Sequence, residues 1–193
     1  MRFKKLMWIL LACAGLSMAA VAGAEAEVDT EAEAPAPGGL ETEIVSAQAL
    51  EGSWQLEETE VEKEQRSQAI TQATRSLSRA VQARARQRLN QRVAPRDEVT
   101  IDFEGEVVAL TVGREAVELE LGGEAVEVKG DGGKALMSAQ MDGPRLVIEV
   151  RGQRGQRTTT YAATDDRLRV EMSMVTSRLS LPVEFSSSYA RSD

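Results

Sequence analysis

The chain has 193 residues, with 23 Lys or Arg against 31 Asp or Glu, no histidine and one cysteine, for a formal charge of −8. Without histidine there is no imidazole base, no His-containing catalytic triad and no His metal ligand. The acidic balance argues against a general nucleic-acid binder, and the length suits one domain of ordinary size with a real core.

Arg2, Lys4 and Lys5 precede an apolar run from Leu6 to Ala22, and Ala22-Gly23-Ala24 offers a small-x-small cleavage site before Glu25. This is the pattern of a secretory signal peptide over residues 1–24, so export to the periplasm or the cell exterior is expected. The run is too short and wrongly flanked for a permanent transmembrane helix. An alternative uses Leu10-Leu11-Ala12-Cys13, which resembles a bacterial lipobox and would leave a lipoprotein anchored at Cys13. Cleavage after Ala24 instead removes the only cysteine, and with it any disulfide framework or thiolate nucleophile. It also takes away three positive charges, leaving about −11.

Residues 25–47 follow as Glu, Ala, Thr, Pro and Gly with little apolar content, and read as a disordered acidic linker. Twelve acids and no Lys or Arg lie between 25 and 62. The sign reverses at Lys63, and nine basic residues and one acid, Glu64, fill 63–96. That segment lacks Gly and Pro until Pro95 and is rich in good helix formers. Thr59-x-x-Glu62 fits a capping box, so a helical insert is expected over about 60–94. Ile70, Leu77, Val81, Ala85, Leu89 and Val93 recur at helical spacing as one narrow docking face. The Ser/Thr-rich patch from Thr71 to Ser78 could break the insert into two helices. Its arginines, Arg84, Arg88 and Arg92 among them, offer a docking surface for an anionic membrane or an acidic partner.

From Val99 onward the period is two. Val99, Ile101 and Phe103 alternate with Thr100, Asp102 and Glu104, and similar runs follow between glycine turns to the last strand, Val183 to Tyr189. With a strand at 53–58, ten strands are expected, one before the helical insert and nine after it. One face is aliphatic and the other charged. This predicts a mainly β antiparallel meander that closes into a barrel and so removes its edges.

A strand opening with Gly52-Ser53-Trp54, a helical insert of about thirty residues and a nine-strand meander resemble the fatty-acid-binding-protein branch of the calycin superfamily, whose members are lipocalin-like barrels. The resemblance covers roughly residues 48–191. It implies that Trp54, after Gly52, plugs the closed end of the barrel, with an arginine from the C-terminal end over its face. Arg191 is the first candidate for that arginine, and Arg178 the second. The chain departs from the branch where a ligand carboxylate is commonly held by Arg-x-Tyr near the last strand. Here the stretch is Ser187-Ser188-Tyr189, and the arginine is missing.

The sequence contains no Gly-x-Ser-x-Gly, Ser-x-x-Lys, P-loop or Gly-x-Gly-x-x-Gly, and "GDGG" at 130–133 reads as a hairpin turn rather than a calcium loop. No cofactor, metal or enzymatic activity is implied. Two functions fit. One is a barrel that binds a lipid or other apolar small molecule, with Phe103 and Met172 among its lining residues. Arg157, with Tyr161 or Tyr189, would then hold an anionic head group. The other is an envelope interaction protein with a filled barrel and a basic helix that docks an acidic partner.

Overall fold

The computed structural model describes residues 47–130, 133–164 and 166–192. The leader, the acidic linker up to residue 46 and the Asp131-Gly132 tip of the "GDGG" turn lie outside the described residues. After a helical turn at 47–50 comes β1 (Gly52–Leu56), then α1 (Glu60–Ala73) and α2 (Arg79–Val93). Nine strands follow: β2 (Glu98–Glu104), β3 (Val107–Val112), β4 (Glu115–Glu120), β5 (Val126–Gly130), β6 (Gly133–Asp142), β7 (Arg145–Gly152), β8 (Gly155–Thr164), β9 (Arg167–Thr176) and β10 (Val183–Arg191).

All ten strands form one sheet in the order β4-β3-β2-β1-β10-β9-β8-β7-β6-β5, with every neighbouring pair antiparallel. The alternating sequence explains this. The strands send most of their aliphatic residues to the inside and most of their charges outward, and a one-residue slip would exchange the faces. The two outermost strands, β4 and β5, do not pair with each other. Instead the end of β4 reaches past β5 to β6 through a parallel bridge between Leu121 and Ala139, where the Gly122 N–H donates to the Ala139 carbonyl at 2.8 Å. The barrel is thus closed at its lower end and slotted between β4 and β5 above.

We call the end that holds Trp54 the floor and the end that carries the helices the mouth. Helix α1 starts with the capping box. The Thr59 hydroxyl accepts from the Glu62 N–H, and the Glu62 carboxylate accepts from the Thr59 N–H at 2.8 Å. The insert is two helices rather than one. Thr74 ends α1 by donating its hydroxyl back to the carbonyls of Ile70 and Thr71, which competes with onward helix hydrogen bonding. The break also resets the helical phase, so the expected single apolar face does not hold. Ile70, Leu89 and Val93 are buried, but Val81 is 50% exposed.

The first strand is short, and this places α1. Residues 189–191 of β10 pair with β1 and the Glu57 N–H still donates to the Ser188 carbonyl, so the edge of β10 from Val183 to Ser187 has no strand beside it on that side. Helix α1 lies along that stretch. Ile70 and Ala73 pack in one apolar cluster with Val183, Phe185, Met172 and Met174 from inside the barrel. On the opposite face of β10, the Ser188 hydroxyl donates to Glu62 at 2.6 Å. The run Ser186-Ser187-Ser188 suits this contact, because small polar side chains let a helix come close and still satisfy its carboxylates.

Candidate functional site: the barrel interior and its mouth

The floor is built first. Trp54 is fully buried and donates its indole N–H to the Leu50 carbonyl at 3.0 Å. The Arg191 guanidinium lies 4.4 Å from the Trp54 ring centroid and ties down the preceding turn, donating to the Glu51 carbonyl at 2.9 Å and the Ala49 carbonyl at 3.1 Å. Gly52 is required beneath it. Its φ is +123°, and a Cβ there would stand 2.9 Å from an Arg191 guanidinium nitrogen. Arg178 lies in the β9–β10 turn, at the opposite end of the barrel. Above the floor, Ile101, Val108, Leu146 and Leu168 are fully buried in the same cluster.

Higher up, the lining is looser. Met137, Val150, Met172 and Met174 all point inward but are only partly buried. Arg157 pairs across the sheet with Val150 and Met174, two inward positions, so its side chain starts inside. Its Nε is buried without a hydrogen-bond partner among the described residues. Tyr161 is four residues along the same face and is buried, which pushes its phenol pKa up to about 12, while the Arg157 charge pulls the other way. Tyr189 is also buried. Burial raises its pKa, and Tyr161 and Glu58 add to the rise.

Tyr161 and Tyr189 thus both pack in the Trp54 cluster, and of the two it is Tyr161 that feels the Arg157 charge. Phe103 stands on β2, paired with Val108 and packed on the floor cluster. Met172 faces the helices and packs in the cluster under α1.

A second polar group escaped the sequence reading. The Glu58 carboxylate, just past β1, takes an ion pair from Arg66 of α1 and a hydrogen bond from the Ser187 hydroxyl of β10 at 3.2 Å. Glu58 is 4% exposed and Arg66 18%. The Arg66 guanidinium also sits 5.8 Å from the Phe185 ring centroid. Glu58 and Arg66 are eight residues apart across a helix cap and Ser187 is more distant still, so no periodicity links them. The one available signal was the absent arginine before Tyr189, which left room for a cation from elsewhere.

Outside the barrel, Arg84, Arg88 and Arg92 are exposed on α2 and form no ion pair among the described residues. Arg86 instead donates to the Thr74 hydroxyl at 3.1 Å and so ties α2 to the end of α1. Two solvent-open hollows lie on the outer wall. One, of about 490 Å³, lies at the β7–β8 turn beside Arg154 and Ser177. The other, of about 510 Å³, lies between Gln65 of α1 and Thr158, Thr160 and Glu171 on the outer face of the sheet.

No family model matches the chain, and no curated protein matches its sequence. Solved structures do resemble it. A secretory abundant heat soluble protein from Ramazzottius varieornatus is 15% identical with a TM-score of 0.50, and the match covers 75% of this chain and 96% of that one. The REP1-NXSQ fatty acid transporter is 14% identical with a TM-score of 0.49, covering 76% and 98%. Fatty-acid-binding protein 1 of Echinococcus granulosus is 10% identical with a TM-score of 0.47, covering 76% and 99%. At such identities the likeness speaks to fold alone. A short first strand, two helices and a nine-strand antiparallel meander nearly closed on itself give the chain a calycin-like barrel fold.

Proposed function

We propose that the protein is an exported, non-enzymatic carrier of an apolar small molecule that bears one anionic group. The observation that carries this reading is Arg157. An arginine directed into an aliphatic interior, with a buried Nε that has no partner among the described residues, costs free energy unless something else completes it. A ligand oxygen would complete it, and Tyr161, four residues along the same face, offers a phenol group within reach of the Arg157 charge. The partly buried methionines and valines at the mouth supply apolar walls for the rest of the ligand. The names of the fatty acid transporter and the fatty-acid-binding protein are in keeping with such cargo. Export rests on residues 1–24, and cleavage there is checked by the N-terminal mass of the protein recovered from its own envelope.

The test uses dodecanoate and dodecanol, which share a tail and differ in charge. Wild type should bind dodecanoate more tightly than dodecanol in calorimetry, and Arg157→Met should remove that preference while keeping the fold. Equal affinity of wild type for both probes would refute the Arg157 assignment.

The exposed arginines of α2 favour a second element of the reading, in which the basic helix at the mouth meets anionic membranes where such cargo is collected or released.

A further inference from the structure

We infer that Glu58 is a built-in occupant of a carboxylate site at the mouth, that the anionic group of the cargo displaces it, and that this exchange loosens α1 from β10. The inference rests on the carrier reading above for the chemistry of the cargo, and gives its one anionic group a second place to bind, at Arg66 as an alternative to Arg157.

Consider what surrounds the Glu58 carboxylate. A guanidinium arrives from α1, a hydroxyl from β10, and the Phe185 ring backs the guanidinium. Those are the parts of a binding site for one singly charged carboxylate, drawn from two separate segments of the chain. The occupant happens to be the protein's own. Such a pair is costly to desolvate and is held by its mutual geometry. A second carboxylate that reached Arg66 would therefore compete on nearly equal terms, since Arg66 has five donors and keeps part of its surface open.

Position turns this competition into a mechanical link. Glu58 is the residue immediately before Thr59, the N-cap of α1. On the inner side of β10, the Glu58 contacts with Arg66 and Ser187 fasten the start of the helix. On the outer side, the Ser188–Glu62 bond does so. At the far end, Ser76, just past α1, and Ser180 are joined at 2.9 Å. When Glu58 leaves, the inner polar fastening goes with it, and the apolar contacts of Ile70 and Ala73 remain. The site thus reports arrival of a charged head group to the helix that covers the mouth, and a neutral tail alone does not trigger it.

The experiment compares wild type, Glu58→Gln and the double variant Glu58→Gln/Arg66→Gln against dodecanoate and dodecanol. Glu58→Gln frees Arg66 and should bind dodecanoate at least tenfold more tightly than wild type, with dodecanol affinity unchanged. The double variant should lose that gain. In wild type, dodecanoate but not dodecanol should speed hydrogen exchange at the α1 amides, and this measurement decides the matter should Glu58→Gln fail to fold. If wild type binds dodecanoate but Glu58→Gln binds it no better, or α1 exchange is unmoved, the displacement is wrong and the carrier reading stands. If no variant binds either probe, both are overturned.

Discussion

Replacing Trp54 with alanine probes the floor of the barrel, and its cost can be built up from contacts. The side chain is fully buried, so removing it takes away the largest apolar body of the lower core, a loss of about 3–5 kcal/mol for a core tryptophan. The bond from its indole to Leu50 goes as well, and a lost bond of this kind costs about 1 kcal/mol. Arg191 loses the ring beneath it, worth about 0.5–1 kcal/mol at an exposed site. These terms overlap, because the cost of a large-to-small core change already includes part of them. The expected loss is therefore about 4–5 kcal/mol. For a domain of this size that is a drop of roughly 10 °C or more in melting temperature. Urea denaturation followed by far-ultraviolet circular dichroism is the suitable assay, since the mutation removes the barrel's own tryptophan and leaves at most Trp8. Trp54→Phe should cost less, about 1–2 kcal/mol, because it keeps an aromatic ring and loses the N–H donor. A loss under 1 kcal/mol for Trp54→Ala, with the fold intact, would refute the argument that this residue seals the barrel.

Three further outcomes are expected. Replacing Arg84, Arg88 and Arg92 together with Gln should weaken binding to anionic vesicles at low salt by up to roughly 100-fold, at about 1 kcal/mol per arginine, and leave helicity unchanged. Wild-type binding should itself fall steeply with salt in a sedimentation assay. Stability should decline as pH rises above 10: the unfolded tyrosines ionise near 10, whereas the fold holds Tyr161 protonated up to about 12 and raises Tyr189 as well. Below pH 10 the two phenols contribute no slope, and Tyr161→Phe should flatten the alkaline limb of a stability–pH curve. Gly155→Ala should destabilise the domain by about 1–3 kcal/mol, measured by thermal melting, because a Cβ at φ +156° would meet the Val175 carbonyl oxygen at 2.1 Å and force apart the β8–β9 pairing.

Strand order and facing were readable because alternation and glycine turns are local signals. Val99, Ile101 and Phe103 announce both a strand and its inner face without reference to any partner. The floor had a compact signal too, since Gly52, Trp54 and Arg191 are large or special residues in a chain poor in aromatics. The helical insert was harder. Its composition gave helix, but the Thr74 back-bonds changed the phase, and Val81 consequently lies outside the face that a single helix would have formed. The Glu58–Arg66–Ser187 group had no pattern to betray it. Three ordinary polar residues become a site only when α1 lies along the part of β10 that a short β1 leaves uncovered. That placement depends on where β1 ends, which a pattern of alternation does not fix: the sequence suggested a strand as far as residue 58, and the strand stops at Leu56. The two residues released there, Glu57 and Glu58, include the one that closes the site.

The central claim is that the interior holds an apolar, singly anionic cargo. Native mass spectrometry of the protein purified from its own envelope tests this most directly. The account predicts a population heavier than the mature chain by the mass of one small lipid-like molecule, released by organic solvent and lost in Arg157→Met. A single species at the bare mature mass, in protein that also takes up neither dodecanoate nor dodecanol when offered them, would contradict it.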